Sequence, residues 1–248
     1  MKPKETASMH TYDNTKILVS ASVSCMNLYN LEQQMQEVED SGVSFLHFDV
    51  VDGYFNNVFI LGLPTLQAIR PHTRLPIEVH LGVNEPERFI RQFADAGADY
   101  IAVHYENKDP EGAFRMILDS GARPVLALRA ETDAEEGMKA YLPYIPWVLK
   151  LTVNPGFSGQ TIQPEAIEKI RNLRNLIEGA GCRTGIQADG NMSPANIPRV
   201  REAGANIFTG GTSGLFIKGV PISEACRAMQ DAAQTAQPEG RKQFAGTD

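Results

Sequence analysis

The chain has 248 residues, with 23 Lys plus Arg against 30 Asp plus Glu, a net charge of −7. That length suffices for one or two domains without disulfide or metal staples, and a hydrophobic share of 42% with a charged share of 21% is ordinary for a globular protein in water. No apolar run is long enough for a membrane span, no Lys/Arg cluster offers a nucleic-acid surface, and Cys25, Cys182 and Cys226 show neither an even count nor CxxC spacing for a disulfide framework or structural zinc.

In chain order, residues 1–15 are polar and aperiodic, without an apolar signal core, so a disordered start and a cytoplasmic location are expected. A first strand is expected at Ile17–Ser20, then helical spacing in Leu28, Leu31, Met35 and Val38. A pattern then recurs five times: small residues and a glycine, at Gly42, Gly97, Gly121, Gly181 and Gly204, followed at once by strand formers. Glycine there supplies the left-handed stop of a helix. The intervals 42–97 and 121–181 have room for two helix–strand units, and 97–121 and 181–204 for one. Strands are expected at Phe45–Val50, Pro76–Leu81, Tyr100–His104, Pro124–Leu128, Trp147–Val153, Thr184–Ala188 and Asn206–Gly210, with a helix carrying Ile167, Ile170, Leu173, Leu176 and Ile177. Eight strands alternating with helices predict a parallel α/β sheet closed into a single (β/α)8 TIM barrel over 16–233, ahead of a doubly wound open sheet. Residues 234–248 read as a polar tail.

In such a barrel the chemistry sits at the carboxyl ends of the strands. The second strand ends His47-Phe48-Asp49-Val50-Val51-Asp52, and its period of two puts His47 and Asp49 on one face. The third ends at His80 and the seventh in Gln187-Ala188-Asp189. Any one of these alone reads as a satisfied core histidine or a capping aspartate. Four converging at one mouth suit Zn²⁺, Mn²⁺, Fe²⁺ or Co²⁺, zinc first. Glycine-rich turns follow the last three strands: Asn154 to Gln160, Asp189-Gly190-Asn191, and Gly210 to Gly214. Their amides suit a phosphate. A metal flanked by two carboxylates suits proton transfer beside a carbonyl, one Asp removing a proton from carbon and the other returning one from the opposite face.

The segments SASVSCMNL, LHFDVVDGYF, IEVHLGV, AGADYIAVH, LTVNPGFSGQ, QADGN and GGTSGLF resemble, in order, the ribulose-phosphate 3-epimerase family, and the opening SVSCM and closing GTSGLF are most similar to its allulose-6-phosphate 3-epimerase branch. The resemblance implies a metal-dependent C3 epimerase of a ketose phosphate, ribulose 5-phosphate or allulose 6-phosphate, in a homo-oligomer. It implies one divalent ion held by His47, Asp49, His80 and Asp189, with Asp49 and Asp189 as the acid/base pair. It implies substrate contacts from Ser22, His80, Gly156, Phe157, Ser158, Gly159, Gly190, Asn191, Gly211 and Thr212.

The chain departs from the family at Val51, Gly82 and Leu151, where methionine is usual, so a reshaped pocket is expected. It lacks the lysine between carboxylates of the decarboxylase and hexulose-phosphate synthase group, so Asp52 reads as a turn-capping residue. His104 is open between a partner for a metal-binding histidine and a half-exposed strand end, and Arg129 between substrate contact and a surface pair with Glu131 or Asp133. Two other functions stay open: another isomerisation at the same metal site, and a non-catalytic sugar-phosphate binder.

Overall fold

Runs of five to eight strand formers, each ended by turn residues, become β1 (Leu18–Ser22), β2 (Phe45–Asp52), β4 (Ile77–Gly82), β5 (Tyr100–His104), β6 (Arg123–Leu128), β7 (Trp147–Leu151) and β8 (Gly185–Asp189), with a four-residue β9 (Ile207–Gly210). The computed structural model describes residues 15–154 and 159–236. Of the expected disordered ends, residues 1–14 and 237–248 lie outside the described part. The strands run parallel in the order β1-β9-β8-β7-β6-β5-β4-β2, and pairing of β1 with β2 closes the ring. This is a single (β/α)8 barrel. One further strand, β3 (Phe59–Ile60), was not expected: it pairs antiparallel with the end of β2, Val51 opposite Ile60 and Asp52 opposite Phe59. Two residues are too short to show a period in sequence.

The helices around the ring are α1 (Leu31–Glu39), α2 (Leu63–Ile69), α3 (Ile90–Asp95), α4 (Pro110–Asp119), α5 (Pro164–Gly179), α6 (Ile197–Glu202) and α7 (Ile222–Gln234). All five glycines expected to stop helices have positive φ, from +67° at Gly181 to +115° at Gly204. The expected face of α5 holds, with Ile170, Leu173 and Ile177 buried. Leu28 does not belong to α1: it sits in a 3-10 turn before it and is 58% exposed. Between β6 and β7 the helix is replaced by two 3-10 turns, Glu136–Ala140 and Leu142–Tyr144. Gly137, Pro143 and Pro146 lie in that stretch, and each shortens a helix.

The main apolar core lies between the sheet and the helices, on residues such as Phe48, Val79, Ile101, Leu126, Ile170 and Phe208. A smaller core fills the lower barrel, where Trp147 stacks on Phe45 (5.1 Å) and packs against Tyr100 (4.6 Å). Above that floor the inward positions turn polar. Register sets Glu78 beside His47 and His80 beside Asp49 across β2 and β4, and period two carries Gln187 and Asp189 up the same face of β8.

Candidate active site at the carboxyl ends of the strands

His47, Asp49, His80 and Asp189 each offer one atom such that all four lie within 4.8 Å of one another. His47 Nε2 and His80 Nδ1 both approach Asp49 Oδ1 at 3.0 Å, and Asp189 Oδ2 is 3.8 Å from His47 Nε2. The histidines are buried, while the Asp49 and Asp189 side chains keep 16% and 23% of their surface, enough to meet a ligand from the cavity above. Ring nitrogens and carboxylate oxygens crowded this closely repel unless a proton or a cation stands among them. Two imidazoles and two carboxylates are a donor set for a first-row divalent ion, and the cluster could hold one.

The protonation energetics show the same crowding. Burial disfavours the His47 imidazolium, but Asp49 and Glu78 on either side outweigh it and raise its pKa well above 6.5. Burial pushes Asp49 up, yet His47 and His80 hold it far below the usual carboxylate range. Burial and repulsion by Asp49 push Asp189 up to about 6, against the pull of both histidines. Neighbouring carboxylates with affinities driven apart are the pattern of an acid and a base sharing one site.

Several supporting residues escaped the sequence reading. Glu78 is fully buried beneath the cluster. Its Oε2 lies 2.6 Å from His47 Nδ1 and accepts from Gln187 Nε2 at 2.9 Å, and its Oε1 accepts from Trp147 Nε1 at 2.7 Å. The signal for it was its phase, since Glu78 shares the inward face of β4 with His80. Gln187 also donates to Thr209 Oγ1 (3.0 Å), whereas its buried Oε1 has no partner among the described residues. Ser24, like Ser22, faces Asp49: Oγ–H of Ser24 donates to Asp49 Oδ2 at 3.0 Å and that of Ser22 at 3.4 Å. Its signal was the repeat of serine at a spacing of two.

His104 is fully buried rather than half exposed, with Nε2 2.8 Å from His80 Nε2 and Nδ1 3.0 Å from Glu106 Oε2. Burial lowers its pKa to about 4, and the charges of His80 and Arg129 add to this against Glu106. Burial would raise Glu106, but hydrogen bonds from His104, Thr132 and the Arg129 amide hold it at about 2. Of the two readings left open for Arg129, substrate contact or a surface pair with Glu131 or Asp133, the structure shows neither: its side chain lies over Phe55, 3.9 Å from the ring centroid, and is not among the residues that line the cavity. Lys150 is buried and donates from Nζ to the carbonyls of Arg129, Ala130 and Thr132, fastening the loop that holds Glu106. Asp52 caps its turn as expected, accepting from the amides of Tyr54, Phe55 and Asn84.

A cavity of about 480 Å³ opens above the cluster, within the range of small-molecule sites. Ser22, Gly159, Gly190, Asn191, Gly211 and Thr212 line it together with Asp49, His80 and Asp189. Gly156, Phe157 and Ser158 lie outside the described residues. Val51 and Leu151 line the wall. Gly82 is not among the residues that line the cavity; a Cβ there would meet Phe55 Cδ1, Val50 O and Val51 Cγ2, each at 3.4 Å. Gly190 has φ +116°, and a Cβ there would meet Val153 Cγ2 at 2.6 Å, so this turn beside Asp189 requires glycine.

A closed (β/α)8 barrel with a polar, metal-competent cluster at the carboxyl ends of its strands has the build of a barrel enzyme. The model of the ribulose-phosphate 3 epimerase family matches residues 18–216, and the chain belongs to that family of isomerases. It is 34% identical over 200 residues to the ribulose-phosphate 3-epimerase of Synechocystis sp., covering 79% of this chain and 86% of that one. It is 32% identical over 221 residues to that of Methanocaldococcus jannaschii, covering 89% and 92%. Among solved structures, KGPDC from Streptococcus mutans superposes with a TM-score of 0.61 at 13% identity, covering 89% of this chain and 99% of that one. At that identity the likeness concerns the fold alone. No helix among the described residues is long and apolar enough to cross a membrane.

Proposed function

We propose that the protein is a divalent-metal-dependent C3 epimerase of a ketose phosphate. The observation that carries this reading is the pair Asp49 and Asp189, brought to one polar cluster from different strands and driven to opposite proton affinities. His47, Asp49, His80 and Asp189 would hold the ion, with zinc the first choice for two imidazoles and two carboxylates. When bound, that ion supplies positive charge beside the substrate carbonyl as negative charge develops there.

The remaining work belongs to the chain. Asp49 and Asp189 stand on either face of the substrate's C3, so one takes the proton as an ionised base while the other, carrying a proton, delivers it from the opposite side. Ser22 and Ser24, both donating to Asp49 Oδ2, orient that carboxylate. Gly159, Gly190, Asn191, Gly211 and Thr212 surround the substrate, with the phosphate on the glycine-rich turns, and Gly156, Phe157 and Ser158 are further substrate contacts on the strength of the NPGFSGQ match alone.

The relatives support a pentulose phosphate, ribulose 5-phosphate with xylulose 5-phosphate as product. The SVSCM and GTSGLF segments and the wall at Val51 and Leu151, where the family usually has methionine, favour a longer chain, allulose 6-phosphate with fructose 6-phosphate as product. A phosphorylated ketose in solution is the only partner the reading requires besides further copies of the chain, and a cytoplasmic setting suits it. Asp49→Asn and Asp189→Asn test the division of labour. Each variant, with Zn²⁺ supplied, is expected to lose epimerisation while still exchanging the C3 proton of one epimer with solvent, a different epimer for each. Near-normal turnover in either variant contradicts the two-carboxylate mechanism.

A further inference from the structure

His80 reaches the cluster through Nδ1, whereas His47 reaches it through Nε2, so the two imidazoles must carry their protons on opposite nitrogens to present lone pairs. For His47 the proton goes to Nδ1, against Glu78. For His80 the group at Nε2 is another imidazole, His104 Nε2, at 2.8 Å. Two facing ring nitrogens share one proton, and which ring owns it depends on what holds the far side of His104. That far side is Glu106: Oε2 lies 3.0 Å from His104 Nδ1, and Oε1 accepts from the Arg129 amide at 2.8 Å and from the Thr132 hydroxyl. A carboxylate receiving two other donors has only acceptor capacity left for His104.

We infer that Glu106, acting through His104, is a positioning residue for His80: it fixes the His80 proton on Nε2 and thereby aims the Nδ1 lone pair at the cluster. The consequence follows along the chain of contacts. Glu106 takes the proton of His104 Nδ1, so His104 Nε2 is an acceptor, and the proton between the rings belongs to His80. Were His104 free to carry its proton on Nε2, His80 would be left with Nδ1–H pointing at Asp49, in the place of a cation. The His104 ring is held for this task by Phe55 at 4.6 Å, itself covered by the Arg129 guanidinium. The inference rests on the metal-holding reading of the four-residue cluster, and outer partners of metal-bound histidines typically change affinity about 10–100-fold.

The test compares wild type, Glu106→Gln, His104→Phe and His104→Gln by Zn²⁺ titration and by side-chain ¹⁵N–¹H NMR of the metal-free protein under mildly alkaline conditions. Glutamine at 104 sets a carbonyl oxygen near the place of the ring's Nε2, so it restores the acceptor without the ring. Wild type is expected to show His80 as the Nε2–H tautomer. Glu106→Gln and His104→Phe are expected to lose that single tautomer and to bind Zn²⁺ roughly 10–100-fold more weakly, and His104→Gln to recover most of both. Wild-type His80 protonated on Nδ1, or a Glu106→Gln variant with unchanged tautomer and unchanged Zn²⁺ affinity, overturns the inference. A wild-type protein that takes no Zn²⁺ overturns the metal reading instead, while the NMR comparison still decides what Glu106 does to His80.

Discussion

Replacing Glu78 by Gln removes one charge and one acceptor from a place where three N–H donors converge. His47 Nδ1, Gln187 Nε2 and Trp147 Nε1 all lie within 2.9 Å of its two oxygens, in a site closed to water. The amide has two ways to sit. With its oxygen towards His47 and Gln187, its NH2 faces the Trp147 N–H, stranding a buried donor and losing a charge-assisted bond, on the order of 3 kcal/mol. For a chain of this size that lowers Tm by roughly 6–12 °C. With its oxygen towards Trp147, its NH2 donates to His47 Nδ1, and Gln187 can rotate so that its unpartnered Oε1 takes the second proton. This second arrangement keeps the hydrogen bonds but moves the His47 proton to Nε2, against Asp49. Both arrangements weaken cation binding, by about 10–100-fold, and only the first lowers Tm strongly. Trp147 is the chain's single tryptophan, so its emission follows a Zn²⁺ titration from two hydrogen bonds beyond His47, through Glu78. Zn²⁺ affinity within twofold of wild type, whatever the Tm, refutes the view that Glu78 holds His47 for the cluster.

Lys150→Met leaves the carbonyls of Arg129, Ala130 and Thr132 without their shared donor; calorimetry should show a loss of about 2–4 kcal/mol, and an unchanged Tm would deny that Lys150 fastens this loop. Asp189→Asn should raise the Tm of the metal-free protein at neutral pH by removing repulsion with Asp49. Its folded pKa of about 6 lies above the ordinary carboxylate value, so the metal-free wild type should lose stability as pH climbs through about 4 to 6, by no more than about 3 kcal/mol from this group. A variant that shows the same pH slope contradicts that source. Gly190→Ala forces a Cβ onto Val153 at a positive φ, and should cost about 1–3 kcal/mol and disturb the Asp189 turn; wild-type stability and turnover would show that the turn tolerates a side chain.

The barrel was legible because its information is local. A helix stop such as Gly97 or Gly204 announces itself by residue type, and β2 carries His47 and Asp49 on one face by its period alone. The four cluster residues could be read from strand ends for the same reason. What the chain order conceals is register. Glu78 is an ordinary charged residue until β4 is laid beside β2 and brings it under His47. His104 meets His80 only once β5 is laid beside β4 with Ala102 opposite His80, and Glu106 matters only through His104. Leu28 carried a helical spacing into a segment where Asn27 caps a 3-10 turn instead. The crossover between β6 and β7 shows the converse, since Gly137, Pro143 and Pro146 override the helical rhythm of the other units.

The central claim is proton transfer at C3 by two carboxylates from opposite faces. Zn²⁺-loaded wild-type protein in D₂O, followed by NMR with ribulose 5-phosphate and allulose 6-phosphate in parallel, tests it most directly. The account predicts that the C3 epimer of one of them forms with deuterium at C3, while unreacted substrate at early times still carries its original hydrogen there. Formation of the epimer without deuterium at C3, or exchange confined to C1 with an aldose as product, would contradict it.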